Sequence, residues 1–289
     1  MLYMLLKRFA VGPLVNWVYR PEAEGLEHIP AHGAAILASN HLSFSDSVFM
    51  PVAVDRQVYF LAKAEYFSGR GVRGRLTAAF FRAINQIPMD RSGGKKSQAS
   101  LSAAARTLQK NGVLGIYPEG TRSPDGRLYR AKLGVARLAL ETRAPVIPIA
   151  MVNTEKVQPK GTKIPKRRAQ GRRIAPVRTI VGPALDLSRY YEQPRSRAVE
   201  REIADEIMRA IQQLSGQEYV DLYAADVKSL MEKQRIADAK AAAQQLLDRA
   251  RDRAQASMDS ARESMGQARE TVEQAFEDAR QKVEDRFGR

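Results

Sequence analysis

The 289-residue chain contains no cysteine. That excludes disulfides, thiolate metal ligands and a cysteine nucleophile, and it fits a reducing compartment. Histidine is almost as scarce: His28, His32 and His41 are the only three, too few for a histidine-rich metal site. No metal is therefore expected. Acidic residues are in deficit, 32 against 47 lysines and arginines, leaving a formal charge of +15. Such a balance points to polyanionic partners: nucleic acid, an anionic membrane surface or phosphorylated substrates. A long apolar run is missing at the N-terminus as well. Lys7 and Arg8 interrupt the stretch from Met1 to Val18, which falls short of the about 20 apolar residues of a spanning helix. A secretory signal would carry its charges first and a small-residue cleavage site after them, and neither pattern is clear.

What is present falls into three regions. Residues 1–30 form the apolar N-terminal segment, in which Trp17 and Tyr19 suit a helix lying in a membrane interface. An ordinary packing helix accounts for the same residues equally well. Residues 31–230 form the main domain. In it the brief apolar runs Ala34–Ser39, Val58–Ala62, Val113–Tyr117, Val146–Val152 and Arg178–Val181 read as buried strands. Ser97–Lys110 and Ala131–Thr142 have helical spacing, and Asn111-Gly112 is a helix stop. Alternating strands and helices predict an α/β fold with a mostly parallel or mixed central sheet flanked by helices. In such sheets sites gather at the carboxyl ends of strands, where His41 and Glu119 both fall.

Residues 231–289 read as one long charged helix. From position 232 onward twelve basic residues balance twelve acidic ones, so the excess charge belongs to the rest of the chain. Its apolar positions recur every three or four residues, from Ile236 to Val283, as a thin alanine-rich stripe. A solvated helix with intrahelical ion pairs and a coiled-coil-like tail with a helical partner both satisfy that pattern.

Two segments bear the residues that chemistry needs. Asn40-His41-Leu42-Ser43-Phe44-Ser45-Asp46 places histidine and aspartate five residues apart just after a predicted strand. An alcohol is a weak nucleophile at neutral pH, and histidine can take and return its proton. A carboxylate on the other ring nitrogen would fix the tautomer. A helix starting near Ser45 would turn Asp46 back towards His41; an aspartate that merely caps that helix fits as well. The second segment, Tyr117-Pro118-Glu119-Gly120-Thr121-Arg122-Ser123, also follows a strand. Gly120 permits a close backbone approach, and Arg122 presents a planar fork suited to phosphate. The alternative is a turn with a surface arginine.

Taken together, these segments resemble the glycerolipid acyltransferase family that includes the 1-acylglycerol-3-phosphate acyltransferases. Ile87-Pro-Met-Asp-Arg91 is similar to its second motif and Val146-Ile-Pro-Ile-Ala150 to its fourth. Phe60-Leu-Ala-Lys63-Ala-Glu65 resembles a further recurrent segment. The resemblance spans roughly residues 20–185, and Ser215-Gly-Gln-Glu-Tyr-Val-Asp221 is similar to actinobacterial members. It implies that His41 is the general base and Asp46 its orienting partner. It further implies that Lys63, Arg91, Glu119, Gly120, Thr121 and Arg122 bind substrate, and that Pro148 lies on the acyl-donor side. The implied reaction moves a fatty acyl group from a thioester, acyl-CoA or acyl-carrier protein, to the free hydroxyl of lysophosphatidate. No cofactor and no acyl-enzyme are required, so Ser43 and Ser45 need not act as nucleophiles.

The family reading also explains the charge. Arg70, Arg73, Arg75 and Arg82, and the loop bearing Lys156, Lys160, Lys163, Lys166, Arg167, Arg168, Arg172 and Arg173, would face anionic lipid. Solvated, mobile loops are the alternative. A peripheral or monotopic position on the cytoplasmic face of the cell membrane is expected, with no nucleic-acid partner. Glycerol-3-phosphate, a lysophospholipid or a glycolipid remain alternative acceptors. A basic membrane-binding scaffold would account for the charge and the tail but not for four ordered motifs.

Overall fold

The computed structural model describes residues 2–69, 71–84, 86–89, 94–159, 161–162, 168–169, 172–173 and 175–287. The chain divides into two compact units, Met1–Lys228 and Ser229–Arg289.

The first unit opens with a helical run: α1 (Leu2–Leu5), a π-helical turn (Leu6–Val11) and α2 (Gly12–Tyr19). One face packs inward. Tyr3 and Val15 are buried, the Tyr3 hydroxyl accepts from Val58 N–H, and Lys7 Nζ donates to the Val54 carbonyl. The other face leaves Phe9 74% and Trp17 70% exposed. Among the described residues no helix is long and apolar enough to cross a membrane.

Next come β1 (Glu22–Glu24), β2 (Ala35–Ser39), α3 (Asp46–Ala53), β3 (Val58–Lys63), α4 (Gly71–Ala83), β4 (Gln86–Met89), α5 (Gly94–Gln109) and β5 (Val113–Ile116). Then follow β6 (Leu128–Tyr129), α6 (Gly134–Thr142), β7 (Val146–Val152), α7 (Thr154–Val157), a short hairpin of β8 (Arg168–Ala169) and β9 (Arg172–Arg173), and β10 (Arg178–Val181). α8 (Ser188–Tyr191), α9 (Arg197–Ser215), β11 (Tyr219–Val220) and α10 (Ala224–Phe287) complete the chain.

Seven strands form one mixed sheet in the order β1-β10-β7-β2-β5-β3-β4. The five from β7 to β4 run parallel, and β10 lies antiparallel to β7. This is the expected α/β architecture. Each strand anticipated from an apolar run is there, because strands covered on both faces are apolar at every position. β2 makes the point: Ile36 and Ala38 face the layer of α5, α6 and α9, while Ala35 and Leu37 face the layer of α3 and α2. α9 shows how a helix is held to such a sheet. Ser196 caps it by accepting from Val199 N–H at 3.2 Å, Gly216 ends it at φ 67°, and Ile203, Ile207 and Ile211 form its buried stripe. Gly115 sits where any Cβ would meet the Phe60 ring, so a side chain there would force that ring to move.

Candidate active site

Parallel pairing fixes the site before any side chain is considered. Ala38 of β2 pairs with Ile116 of β5, so the turns following both strands emerge side by side. Those turns carry His41 and Tyr117–Ser123. α3 begins at Asp46 and completes the first turn.

Asp46 is fully buried, and its Oδ2 accepts three hydrogen bonds, each 2.8 Å: from His41 Nδ1 and from the N–H groups of Leu42 and Ser43. A carboxylate only accepts, so the ring proton belongs on Nδ1 and the lone pair on Nε2. The other oxygen, Oδ1, is buried with no hydrogen-bond partner among the described residues. The spacing that could have meant a helix cap therefore forms a histidine–aspartate pair. The ring is further fixed by Tyr117, stacked on it with centroids 3.8 Å apart and planes 9° from parallel. Ser47 Oγ lies 3.1 Å from the Tyr117 hydroxyl, and burial holds that phenol well above its usual pKa.

Glu119 holds the two turns together. Its Oε1 accepts from His41 N–H at 3.3 Å and its Oε2 from Tyr129 N–H at 3.1 Å, in a position 1% exposed. Burial pushes its pKa up to about 8 against the pull of those amides. From the other side Ser123 N–H donates to the His41 carbonyl at 2.8 Å. Both polar groups of the His41 backbone are thus taken by the second turn. Through these two bonds Glu119 braces the turns against each other.

A cavity of about 280 Å³ opens beside His41. Its wall is largely apolar, with Leu61, Met89, Leu101, Ile116 and Val135, and Lys132 adds one cation. Gly120 also lines it, at φ +73°, where a Cβ would stand 3.0 Å from the Lys132 side chain. Gly120 therefore serves both the turn and the room for that lysine.

The remaining expected residues divide. Thr121 is half-buried and Arg122 exposed, on the same turn as Gly120. Lys63 ends β3 opposite Met89, which brings its backbone to the cavity's edge. Pro148 is buried inside the sheet, paired with Ala38, and is not among the residues lining the cavity. Arg91 lies outside the described residues, as do Arg70, Lys160, Lys163, Lys166 and Arg167. Among the described residues no cluster of histidine, aspartate and glutamate is placed to hold a metal.

Two contributors went unremarked in the sequence. Lys132 is an exposed lysine ahead of α6, with nothing but its distance from Glu119 to mark it. Asn40 is fully buried: Nδ2 donates to Met151 O at 3.0 Å and to Gln217 Oε1 at 2.7 Å, and Oδ1 accepts from Met151 N–H at 2.7 Å. It continues the β2–β7 ladder through a side chain and starts the His41 turn at a fixed point. Gln217 belongs to the Ser215–Asp221 segment, whose Tyr219–Val220 pairs with Leu128–Tyr129.

Residues 20–152 match the Acyltransferase family model. The chain is 34% identical over 155 residues to a 1-acyl-sn-glycerol-3-phosphate acyltransferase of Limnanthes alba, covering 53% of each chain. To the alpha form of that enzyme from Homo sapiens it is 28% identical over 142 residues, 47% of this chain and 48% of the other. The chain spans about half the length of the curated relatives it matches. In fold it is similar to the crystal structure of the 1-acyl-sn-glycerophosphate acyltransferase PlsC from Thermotoga maritima. The TM-score is 0.51 at 21% identity, covering 72% of this chain and 80% of that one.

Proposed function

We propose that the protein transfers an acyl group from an acyl thioester to the free hydroxyl of 1-acylglycerol-3-phosphate, giving phosphatidate. The observation that carries this reading is the His41–Asp46 pair, with Nδ1 engaged at 2.8 Å and the ring lining an apolar cavity that also holds a lysine. His41 Nε2 takes the acceptor's hydroxyl proton as its oxygen attacks the thioester carbonyl. Asp46 stabilises the resulting imidazolium. The tetrahedral intermediate collapses, the carbon–sulfur bond breaks, and the imidazolium returns the proton to the departing thiolate. Acyl-CoA and acyl-carrier protein both supply such a thioester. Glu119 and Asn40 act as positioning residues.

Acceptor choice rests on charge and apolarity together. Lys132 and Arg122 offer cations to a phosphate, while Leu61, Met89, Leu101 and Val135 offer an acyl chain an apolar wall. A peripheral position on the cytoplasmic face of the membrane fits the exposed Phe9, Leu14 and Trp17 of the N-terminal helical run. The test is an acceptor panel of lysophosphatidate, glycerol-3-phosphate and lysophosphatidylcholine, each with acyl-CoA and with acyl-carrier protein, products being identified by mass spectrometry. Hydrogen bonds to a charged group contribute about 1.5–3 kcal/mol, so lysophosphatidate should exceed lysophosphatidylcholine by about tenfold or more in kcat/KM. Equal use of both, or no phosphatidate, contradicts the assignment.

A further inference from the structure

The helix of the second unit carries a pattern that acyl transfer does not use. From Ala243 to Val283 its apolar stripe advances forty residues in eleven steps of three or four. At 3.6 residues per turn that stripe drifts only about 40° around the helix, whereas a strict heptad stripe of equal length would wander by about 110°. A left-handed coiled coil follows the heptad. A stripe this straight fits a flat surface.

Half of the stripe is alanine, and its large side chains, with Leu246 beside them, are open to solvent. Leu246, Leu247, Met258, Met265, Val272 and Phe276 are each at least 52% exposed. Charge is sorted around them. Ala243, Ala254, Met265 and Phe276 recur at eleven-residue intervals and mark the centre of the stripe. One border is set by Lys240, Arg251 and Arg262, again eleven apart, and the other by Arg253, while Arg249 falls among the acids. Asp248, Asp259 and Glu270, with Asp252 and Glu263, fall on the far side. Glu273 departs from the pattern and is held by Arg269 at 3.0 Å. The segment is neutral overall, so this sorting, not net charge, selects the partner. Basic stems flanking an apolar face can lie along acyl chains while their heads reach lipid phosphates, and the acids point to water.

We propose that the helix over residues 239–282 is a phospholipid-binding surface, lying in the plane of a bilayer with its Leu/Met/Phe stripe among the acyl chains and its flanking arginines on the phosphates. The proposal does not rest on the acyltransferase reading, and the acceptor panel above leaves it untouched.

Because the chain has no cysteine, single-cysteine variants of the full-length protein can report on each face. An environment-sensitive fluorophore on M265C reads the stripe, and the same fluorophore on E263C reads the acidic side. With vesicles of phosphatidylcholine and phosphatidylglycerol, the 265 label should shift to the blue and lose at least about fivefold of its accessibility to an aqueous quencher, and the 263 label should barely change. Adding R251E, R253E and R262E to M265C should raise the lipid concentration needed for that protection by about tenfold, with helix content unchanged by circular dichroism. A 265 label that stays exposed on vesicles overturns the proposal. So does one protected without vesicles in proportion to protein concentration, which would mark pairing with another helix.

Discussion

The turn after β2 and the helix of the second unit place side chains by different rules. Around the turn, polar groups have individual partners: Asp46 Oδ2 has three donors, Glu119 two, and Asn40 two acceptors and two donors, while Asp46 Oδ1 has none among the described residues. In the helix, side-chain bonds such as that from Arg269 to Glu273 are local, and the information lies in the period and in which side the charges take. Substitution should therefore be severe and specific in the first region, and gradual and additive in the second.

The largest expected effect is D46N. An amide nitrogen in place of one oxygen disturbs the acceptor on which three N–H groups converge and frees the imidazole tautomer. Acyl transfer should fall by about 10³–10⁴-fold in kcat, measured by product formation from lysophosphatidate. I207A comes next: the side chain is fully buried in α9, and its truncation should cost about 2–5 kcal/mol in urea unfolding. L247A, on the second unit's helix and 56% exposed, should cost less than about 0.5 kcal/mol in the same measurement. A large loss there would erase the contrast between the two regions.

E119Q tests the brace. The amide nitrogen must face either His41 N–H or Tyr129 N–H, losing one bond and opposing two donors, at a cost of about 1–3 kcal/mol. The same residue predicts a pH dependence. Its folded pKa of about 8 stands above the ordinary 4.5, so the stability it contributes is present below about pH 4.5 and lost as pH rises through about 8. Unfolding free energies from pH 6 to 8.5 should fall in the native chain relative to E119Q, by at most about 1.4 kcal/mol per pH unit. Parallel profiles would show that Glu119 does not titrate in this range.

Much of this was legible in the sequence where one residue type answers one demand. The central strands show because burial on both faces requires apolar residues throughout. His41 and Asp46 are legible only together with the Glu-Gly-Thr-Arg block and the two flanking motifs, since their spacing alone also suits a helix cap. β4 was not read as a strand, since it is an edge strand of mixed exposure carrying Pro88. That Glu119 also receives the His41 and Tyr129 amides shows only in the fold, because those partners are set by strand pairing. Asn40 was missed because Met151 and Gln217 are remote in sequence, and Lys132 because only the folded turn sets it against Gly120. The period of the C-terminal helix was visible as spacing, but the side taken by each charge became apparent only once the helix was continuous.

The most direct test of the central claim compares the native protein with H41A on lysophosphatidate and an acyl thioester, following phosphatidate by mass spectrometry and vesicle association by sedimentation. The account predicts that H41A loses at least about 10²–10⁴-fold of the activity while sedimenting with vesicles as the native chain does. An H41A variant that still forms phosphatidate at the native rate would contradict it.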